Sequence, residues 1–276
     1  MRNESCIIRF KSIVRSHCVP PKRRSLALVW DPPPRQLSLV DDEVHVWRIE
    51  LDLSPASLAR AYEVLSTDER RRATRYRLSG HRHRFVLARG ALRTILGGYL
   101  GEPPAEVRLG LHPSGRPFLH THDDNPIDFN LAHSGKVALV AVTRGRSVGI
   151  DIERLRRGFP YERIADRFFA DHEVAALREV PITVRPAAFF ACWTRKEAYL
   201  KASDRELAMG LPAALSRFSI VSQPGESISI LSVPGRPKET TRWSLVDVDV
   251  GAGYAGALAV EGRATPRFFD WIASPR

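Results

Sequence analysis

Hydrophobic and polar positions follow two different periods in the first third of the chain. Trp47, Ile49 and Leu51 alternate with polar residues, which predicts a strand with one buried face. Ser54-Pro55 then supplies a helix cap followed by proline at the first helical position, and apolar residues recur at helical spacing as far as Leu100. We therefore predict a strand followed by three helices, the second of which is rich in arginine.

Beyond Gly101 the pattern changes to short extended segments. Two of them, Val137–Thr143 and Val148–Glu153, are separated by a turn sequence, and we expect them to form a hairpin. Helical patterns return near residues 161–169, 171–179 and 186–202, and four strand patterns follow between residues 217 and 260. Each half of the chain has helices followed by strands, which predicts an α+β fold instead of a parallel doubly wound sheet.

The start of the chain differs in composition from the rest. Residues 1–40 hold eight Lys or Arg residues against two acidic ones and are rich in proline. We predict a disordered basic tail here, although an organellar transit peptide has a similar composition. The remaining expected units are an N-terminal α+β subdomain at 41–150, a C-terminal α+β subdomain at 151–262 and a short tail at 263–276.

Charge, hydropathy and cysteine content indicate which binding partners and which cellular compartment to expect. The net charge of +11 favours a phosphate-bearing ligand, an acidic protein or nucleic acid. We expect no nucleic-acid partner, because zinc-finger spacing and aromatic RNA-binding signatures are missing. The longest aliphatic run, Val137–Val142, is too short to cross a bilayer, so we expect no membrane partner either. The three cysteines contain no Cys-x-x-Cys pair, which favours a reducing cytoplasm.

Three short segments could carry chemistry. Asp151 and Glu153 lie two apart on a predicted strand and therefore share a face, where two carboxylates can hold Mg²⁺ beside phosphate oxygens. Glu197 and Lys201 lie four apart on a predicted helix. His133 lies in a predicted loop with a serine and a glycine, which could bind phosphate. Taken singly, each also fits an ordinary solvated strand end, a surface ion pair or a turn.

These segments occur in an order and spacing that resemble the three signature motifs of the 4'-phosphopantetheinyl transferases, in their larger single-chain form. The motifs are Asn130–Gly135, Gly149–Glu153 and Trp193–Lys201. The resemblance implies an enzyme that transfers phosphopantetheine from coenzyme A to a serine of an apo carrier protein of polyketide, nonribosomal peptide or fatty acid synthesis. It further implies dependence on Mg²⁺ and release of adenosine 3',5'-bisphosphate.

The resemblance also implies a role for particular residues. Asp151, Glu153 and Glu197 would be the metal ligands, and Glu197 could also help to deprotonate the serine. Lys201 would contact a phosphate and stabilise the transition state. The remaining residues expected to contact coenzyme A are Arg72, Arg75, Arg116, His133 and Lys196.

The implied architecture is a monomer of two similar subdomains related by a pseudo-twofold axis, each with helices on a small antiparallel sheet and with the active site between them. Two departures from the family pattern affect loop geometry and carrier choice. Ala132 replaces a hydroxyl residue before His133, and the glycines usual after Lys201 are delayed to Gly210. A non-catalytic relative that binds coenzyme A or a carrier protein therefore stays open as an alternative.

Overall fold

The computed structural model describes residues 29–51, 54–113, 115–120, 126–203, 215–221, 228–233 and 235–271. The helices in these ranges are α1 (Pro55–Glu63), α2 (Thr67–Thr74), α3 (Ser79–Leu100), α4 (Tyr161–Phe168), α5 (Asp171–Glu179), α6 (Arg185–Ser203) and α7 (Glu239–Arg242). The strands are β1 (Glu43–Glu50), β2 (Leu109–Leu111), β3 (Pro117–Leu119), β4 (Ile127–Ser134), β5 (Val137–Arg144), β6 (Val148–Arg154), β7 (Ser219–Val221), β8 (Ser229–Ser232), β9 (Trp243–Asp247), β10 (Tyr254–Glu261) and β11 (Thr265–Trp271).

The chain divides into two compact units. The N-terminal unit comprises Val29–Arg146 together with the strand Thr265–Trp271, and the C-terminal unit comprises the described part of Ser147–Ala264. Both units combine helices with small sheets, so the predicted α+β class is confirmed. The pseudo-twofold relation between the units stays a prediction.

The N-terminal unit is built on a four-stranded sheet in the order β11-β1-β5-β4. Its neighbours are antiparallel except for β1 and β11, which run parallel, so the sheet is mixed instead of wholly antiparallel as expected. Trp47 and Phe129 from the sheet and Leu92 and Leu96 from α3 are buried in one apolar cluster. The long helix α3 therefore supplies much of the core of this unit.

Local sequence accounts for the helix ends in this unit. Ser66 accepts a hydrogen bond from the Glu69 backbone and Glu69 accepts one from the Ser66 backbone, which completes the predicted capping box of α2. Gly101 ends α3 with a φ of 69°, a left-handed conformation that glycine adopts without a steric penalty. The α2 helix is thus fixed at its start, and α3 ends where the periodic pattern stops.

The C-terminal unit contains a three-stranded antiparallel sheet in the order β6-β10-β9 and a small two-stranded sheet of β7 and β8. Helix α6 packs on β6 and β10, and its residues Ala198, Tyr199 and Leu200 are almost fully buried. A second cluster joins α4, α5 and α6 around Phe189 and Phe190. Helix α6 is therefore the central helix of this unit.

The predicted hairpin of β5 and β6 is wrong. Strand β5 pairs with β1 and β4, whereas β6 pairs with β10 in a different sheet. The hairpin turn lies one connection earlier, at Gly135-Lys136 between β4 and β5, where Gly135 has a φ of 61°. Asn130–His133 consequently lies in β4, and not in a loop as predicted.

Both predicted tails contribute to the N-terminal unit. Residues 29–40 belong to the described chain, with Trp30 packed edge-on against Phe268 and Leu37 and Leu39 packed on the core. Thr265–Trp271 forms β11, although we expected a tail from 263. The division falls between Arg146 and Ser147, because β6 pairs throughout with β10. The disorder predicted for residues 1–28 lies outside the described residues.

Across the described ranges, no helix is both long enough and apolar enough to cross a lipid bilayer.

Candidate active site

The site begins with the face that β6 turns toward α6. A Cβ atom added at Gly149 would collide with the Ala198 carbonyl oxygen and the Ala202 amide nitrogen of α6. Because side chains two apart share a strand face, Asp151 and Glu153 lie on the same side of the strand as Gly149. The strand therefore directs both carboxylates to the side where α6 packs.

Small residues allow this close approach. On β10, Ala255, Ala257 and Ala259 pair with Glu153, Asp151 and Gly149 respectively. With alanine on the neighbouring strand and glycine on β6, the backbone of α6 can lie directly against the sheet. The helix side chains of Glu197 and Lys201 are thereby brought beside the carboxylates of β6.

We expect Gly149→Ala to destabilise the protein by about 1–3 kcal/mol or more, because the added methyl group must displace the α6 backbone. Urea unfolding followed by circular dichroism would measure the change. Gly80→Ala is the matched control, because a Cβ added there meets no atom within 4 Å. Equal stability of Gly149→Ala and the wild type would contradict the close packing of α6 on β6.

The carboxylates and Lys201 form one charged cluster. The Lys201 ammonium donates to Asp151 Oδ1 at 2.6 Å and to the Ile150 carbonyl oxygen at 3.4 Å. Asp151 and Glu197 are each only 6% exposed, while Glu153 is partly exposed and lies 3.5 Å from Arg156. Asp151 Oδ2 and Glu197 Oε1 are buried and have no hydrogen-bond partner among the described residues. Two buried carboxylate oxygens of the cluster are thus left available for a ligand.

Burial and mutual repulsion change the acidity of this cluster. Burial raises the pKa of Glu197 to about 7; Lys201 opposes this shift, and the charges of Asp151 and Glu153 add to it. Burial also raises the pKa of Asp151, against the effect of the Lys201 ammonium. For Lys201 itself, burial disfavours the charged form, but the surrounding carboxylates outweigh it and raise the pKa. The cluster therefore has more negative charge than Lys201 alone can balance.

The donor chemistry of this cluster suits a hard divalent cation. Mg²⁺ is commonly held by one or two carboxylates together with substrate phosphate oxygens. Asp151 and Glu197 offer two unpaired buried oxygens for that purpose. Within the described ranges no three His, Cys, Asp or Glu side chains are arranged as a complete metal site. The residues present thus fit a cation bound by two carboxylates, with Glu153 close enough to influence their charge.

Lys196 has a different position from the one expected. We predicted a contact with coenzyme A, but its side chain is fully buried. The ammonium donates to Glu173 Oε2 and to the Phe218 carbonyl oxygen, both at 2.7 Å, and lies 4.4 Å from the Phe218 ring centroid. Glu173 also accepts from the backbone amides of Ala170 and Ile220. This ion pair joins α5, α6 and β7, so we assign Lys196 a structural role.

Glu173 was missed by the sequence analysis, although a signal was available. Glu173 is the third residue after Ala170, which precedes α5. Its carboxylate accepts a hydrogen bond from the Ala170 backbone amide, which is one half of a capping box. A glutamate at that position is ordinarily exposed. Nothing in the sequence indicated that a lysine 23 residues later would bury it.

We expect Lys196→Met to lower stability by about 3–5 kcal/mol, because Glu173 keeps its charge in a buried site without a counterion. The double variant Lys196→Met/Glu173→Gln should recover much of this loss, since it removes both charges. Urea unfolding of the two single variants and the double variant gives the coupling energy. Additive losses would contradict a direct buried ion pair.

The other predicted coenzyme A contacts belong to the N-terminal unit. Arg72 is partly buried with its guanidinium 5.6 Å from the Phe85 ring centroid, and Arg75 is exposed at the end of α2. His133 is exposed near the end of β4. Arg116 is buried and donates to both carboxylate oxygens of Asp128 at 3.0 Å. The roles of these four residues stay predictions, and the guanidinium of Arg116 is already paired with Asp128.

We predicted that the segment after Lys201 and the residue before His133 affect loop geometry and carrier choice. Helix α6 continues to Ser203. The predicted effect of the delayed glycine, Gly210, lies outside the described residues. Ala132 is a described residue: it is buried in β4 and pairs with Leu139 of β5. Its effect on a phosphate contact stays a prediction.

Two family models and several curated proteins match this chain. The family described as "4'-phosphopantetheinyl transferase superfamily" matches residues 147–259, and the family described as "4'-phosphopantetheinyl transferase, N-terminal" matches residues 52–145. The 4'-phosphopantetheinyl transferase HetI of Nostoc is 38% identical over 244 residues, which cover 88% of this chain and 98% of that protein. The 4'-phosphopantetheinyl transferase Sfp of Bacillus subtilis is 25% identical over 64% of this chain and 75% of that protein.

A solved structure entitled "Chronobacterium ammoniagenes ACPS-CoA complex" overlaps 44% of this chain and 98% of its own, at 15% identity and a TM-score of 0.31. The chain belongs to the 4'-phosphopantetheinyl transferase superfamily, as the two family matches and the extensive identity to HetI show. The resemblance to the larger single-chain form is thereby confirmed.

Proposed function

We propose that the chain catalyses a Mg²⁺-dependent transfer of 4'-phosphopantetheine from coenzyme A to a serine of an apo carrier protein. The serine oxygen bonds to the phosphorus that carries pantetheine, and the bond from this phosphorus to the bridging diphosphate oxygen breaks. Adenosine 3',5'-bisphosphate leaves with the electron pair of that bond. The observation that carries the proposal is the buried cluster of Asp151, Glu197 and Lys201 with two unpaired carboxylate oxygens.

Each residue of the cluster has a separate task in this reaction. Asp151 and Glu197, with Glu153 beside them, would hold Mg²⁺, which supplies positive charge to the diphosphate oxygens as the bond breaks. Lys201 donates hydrogen bonds and adds positive charge where the leaving phosphate becomes more negative. Glu197 would also accept the serine proton, directly or through a water molecule.

The remaining residues proposed to contact coenzyme A are three arginines and a histidine of the N-terminal unit. Arg72 and Arg75 have no hydrogen bond or ion pair from their side chains to any described residue, so their guanidinium groups are available for a phosphate. We infer that they meet the 3'-phosphate, and that His133 contacts the diphosphate. Arg116 would contribute through the edge of β4 that it stabilises.

The direct test is a panel of apo acyl, peptidyl and aryl carrier proteins incubated with coenzyme A, with and without Mg²⁺, and analysed by intact-protein mass spectrometry. At least one carrier should gain the mass of one phosphopantetheine group, and chelation of Mg²⁺ should abolish the gain. If none of the carriers gained this mass, the result would contradict the proposal. Full modification in the presence of a chelator would contradict the proposed dependence on Mg²⁺.

A non-catalytic relative would bind coenzyme A or a carrier without turnover. Because the carboxylates and Lys201 of the third and second motifs are all present in one cluster, we favour the enzyme. Native mass spectrometry of the same samples would test the proposed monomeric state. The carrier that is modified with the highest kcat/KM would identify the class of carrier, and hence of pathway, that the enzyme serves.

A further inference from the structure

A pocket in the N-terminal unit is lined by none of the residues proposed for the transfer reaction. It has a volume of about 360 Å³ and is formed by α1, α2 and the start of α3. Its apolar lining comes from Leu58, Ala59, Ala73 and Val86. A volume of this size lies in the lower part of the range found for small-molecule sites.

The polar lining of the pocket is basic. It includes Arg70, Arg82 and His83, and no acidic residue lines the pocket in the described part of the chain. Arg82 is exposed and His83 is partly exposed, and neither side chain has a hydrogen bond or ion pair with a described residue. Two donor side chains are therefore available at the pocket without a protein acceptor.

Arg70 is held in place at the pocket wall. Its guanidinium carbon lies 5.0 Å from the ring centroid of Tyr62, and its Nη2 donates to the Glu63 carbonyl oxygen at 2.9 Å. Its Nε is buried and has no hydrogen-bond partner in the described ranges. Tyr62, which also lines the pocket, is 45% exposed. The wall thus combines a positioned cation with an accessible aromatic ring.

The pocket lies on a different side of α2 from the arginines assigned to coenzyme A. Successive residues of an α-helix project about 100° apart. Ala73 is buried, Arg70 and Thr74 project to one side of it, and Arg72 and Arg75 project to the other. The two sets of arginines therefore serve two separate surfaces of the same helix.

We propose that this pocket binds a small organic phosphate monoester, with the phosphate between Arg82 and His83 and an apolar or aromatic body against Tyr62, Ala73 and Val86. A dianionic phosphate matches a pocket with two arginines, a histidine and no carboxylate. The apolar lining favours an ester over inorganic phosphate, because it gains by burial of the organic group. The proposal does not depend on the proposed transfer reaction, and the pocket lining contains none of the residues assigned to coenzyme A.

The test is isothermal titration calorimetry of the full chain with phenyl phosphate, inorganic phosphate and phenol, in the presence of saturating coenzyme A. Phenyl phosphate should bind at least tenfold more tightly than either of the other two probes. Equal affinity for inorganic and phenyl phosphate would overturn the proposed contact with the apolar lining. Loss of binding when coenzyme A is added would assign the probe to the donor site and overturn a separate pocket.

Variants locate the binding site. Arg82→Gln/His83→Gln should weaken phenyl phosphate binding by at least tenfold. Arg71→Gln is the matched charge control, because Arg71 is exposed and lies outside the pocket lining. An equal loss in Arg71→Gln would show that overall charge explains the binding and would overturn the proposal.

Discussion

Asp151→Asn should lower kcat/KM for carrier modification by about 10²- to 10³-fold. Asparagine keeps the size of the side chain and can still accept from Lys201, so the local packing of β6 and α6 is preserved. It removes one of the two carboxylates with an unpaired buried oxygen, and with it the charge that would hold a divalent cation. The loss should therefore be in catalysis and metal response, and not in folding.

The measurement is the initial rate of carrier modification at several Mg²⁺ concentrations, together with a urea unfolding curve for each protein. Asp247→Asn is the matched control, because Asp247 belongs to the same unit but forms an exposed ion pair with Arg195 at 2.6 Å. That variant should keep its activity within a factor of about two. A nearly active Asp151→Asn enzyme would contradict the assignment of Asp151 to the metal.

Much of the site could be predicted from local spacing. The two-residue period of a strand places Asp151 and Glu153 on one face, and the four-residue spacing of a helix places Glu197 and Lys201 on another. Both elements have the predicted type, and their ends lie within one or two residues of the predicted ones. The contact between the elements is less visible, although Gly149 and Ala202 are the small residues that such a close approach requires.

Strand partners could not be predicted in the same way. A turn sequence at Arg144–Ser147 indicates that the chain changes direction, but it does not say which strand comes to lie beside β6. The actual partner, β10, begins about a hundred residues later, and β11 pairs with β1 from the other end of the chain. Such pairings depend on the burial of whole sheet faces, which is decided by the assembled core and not by a short window.

Lys196 shows a similar limit for charged residues. A lysine in a helix with neighbouring polar residues predicts an exposed side chain, because burial of an unpaired charge is costly. In the folded chain Glu173 and the Phe218 carbonyl compensate that cost. The partner comes from another helix, so the periodicity of α6 alone could not distinguish a phosphate contact from a core ion pair.

Glu197→Gln should have opposite effects on catalysis and on the stability of the metal-free protein. Carrier modification should fall by more than about 10²-fold, because the variant lacks both a metal ligand and a proton acceptor. The free energy of unfolding at pH 8 should rise by about 1–3 kcal/mol, because the variant no longer buries a carboxylate beside Asp151 and Glu153. The function of Glu197 thus opposes the stability of the fold.

The stability gain expected from Glu197→Gln depends on pH. The pKa of Glu197 is raised from 4.5 to about 7 in the folded protein, so the unfolded chain loses this proton at lower pH than the folded protein does. The folded state of the wild type is therefore increasingly penalised as the pH rises from about 4.5 to 7, and the penalty is constant above that range. Glutamine does not titrate, so the stability gain of Glu197→Gln should be absent near pH 4 and complete at pH 8.

Urea unfolding of both proteins in a chelator at pH 4, 6 and 8 measures this difference. Addition of Mg²⁺ at pH 8 should stabilise the wild type more than the variant, because binding to the folded state alone raises its stability and the variant lacks one ligand. Glu179→Gln, a change at an exposed glutamate in the same unit, should show neither effect. A difference between Glu197→Gln and the wild type that does not change with pH would contradict the raised pKa of Glu197 and its burial beside the other two carboxylates.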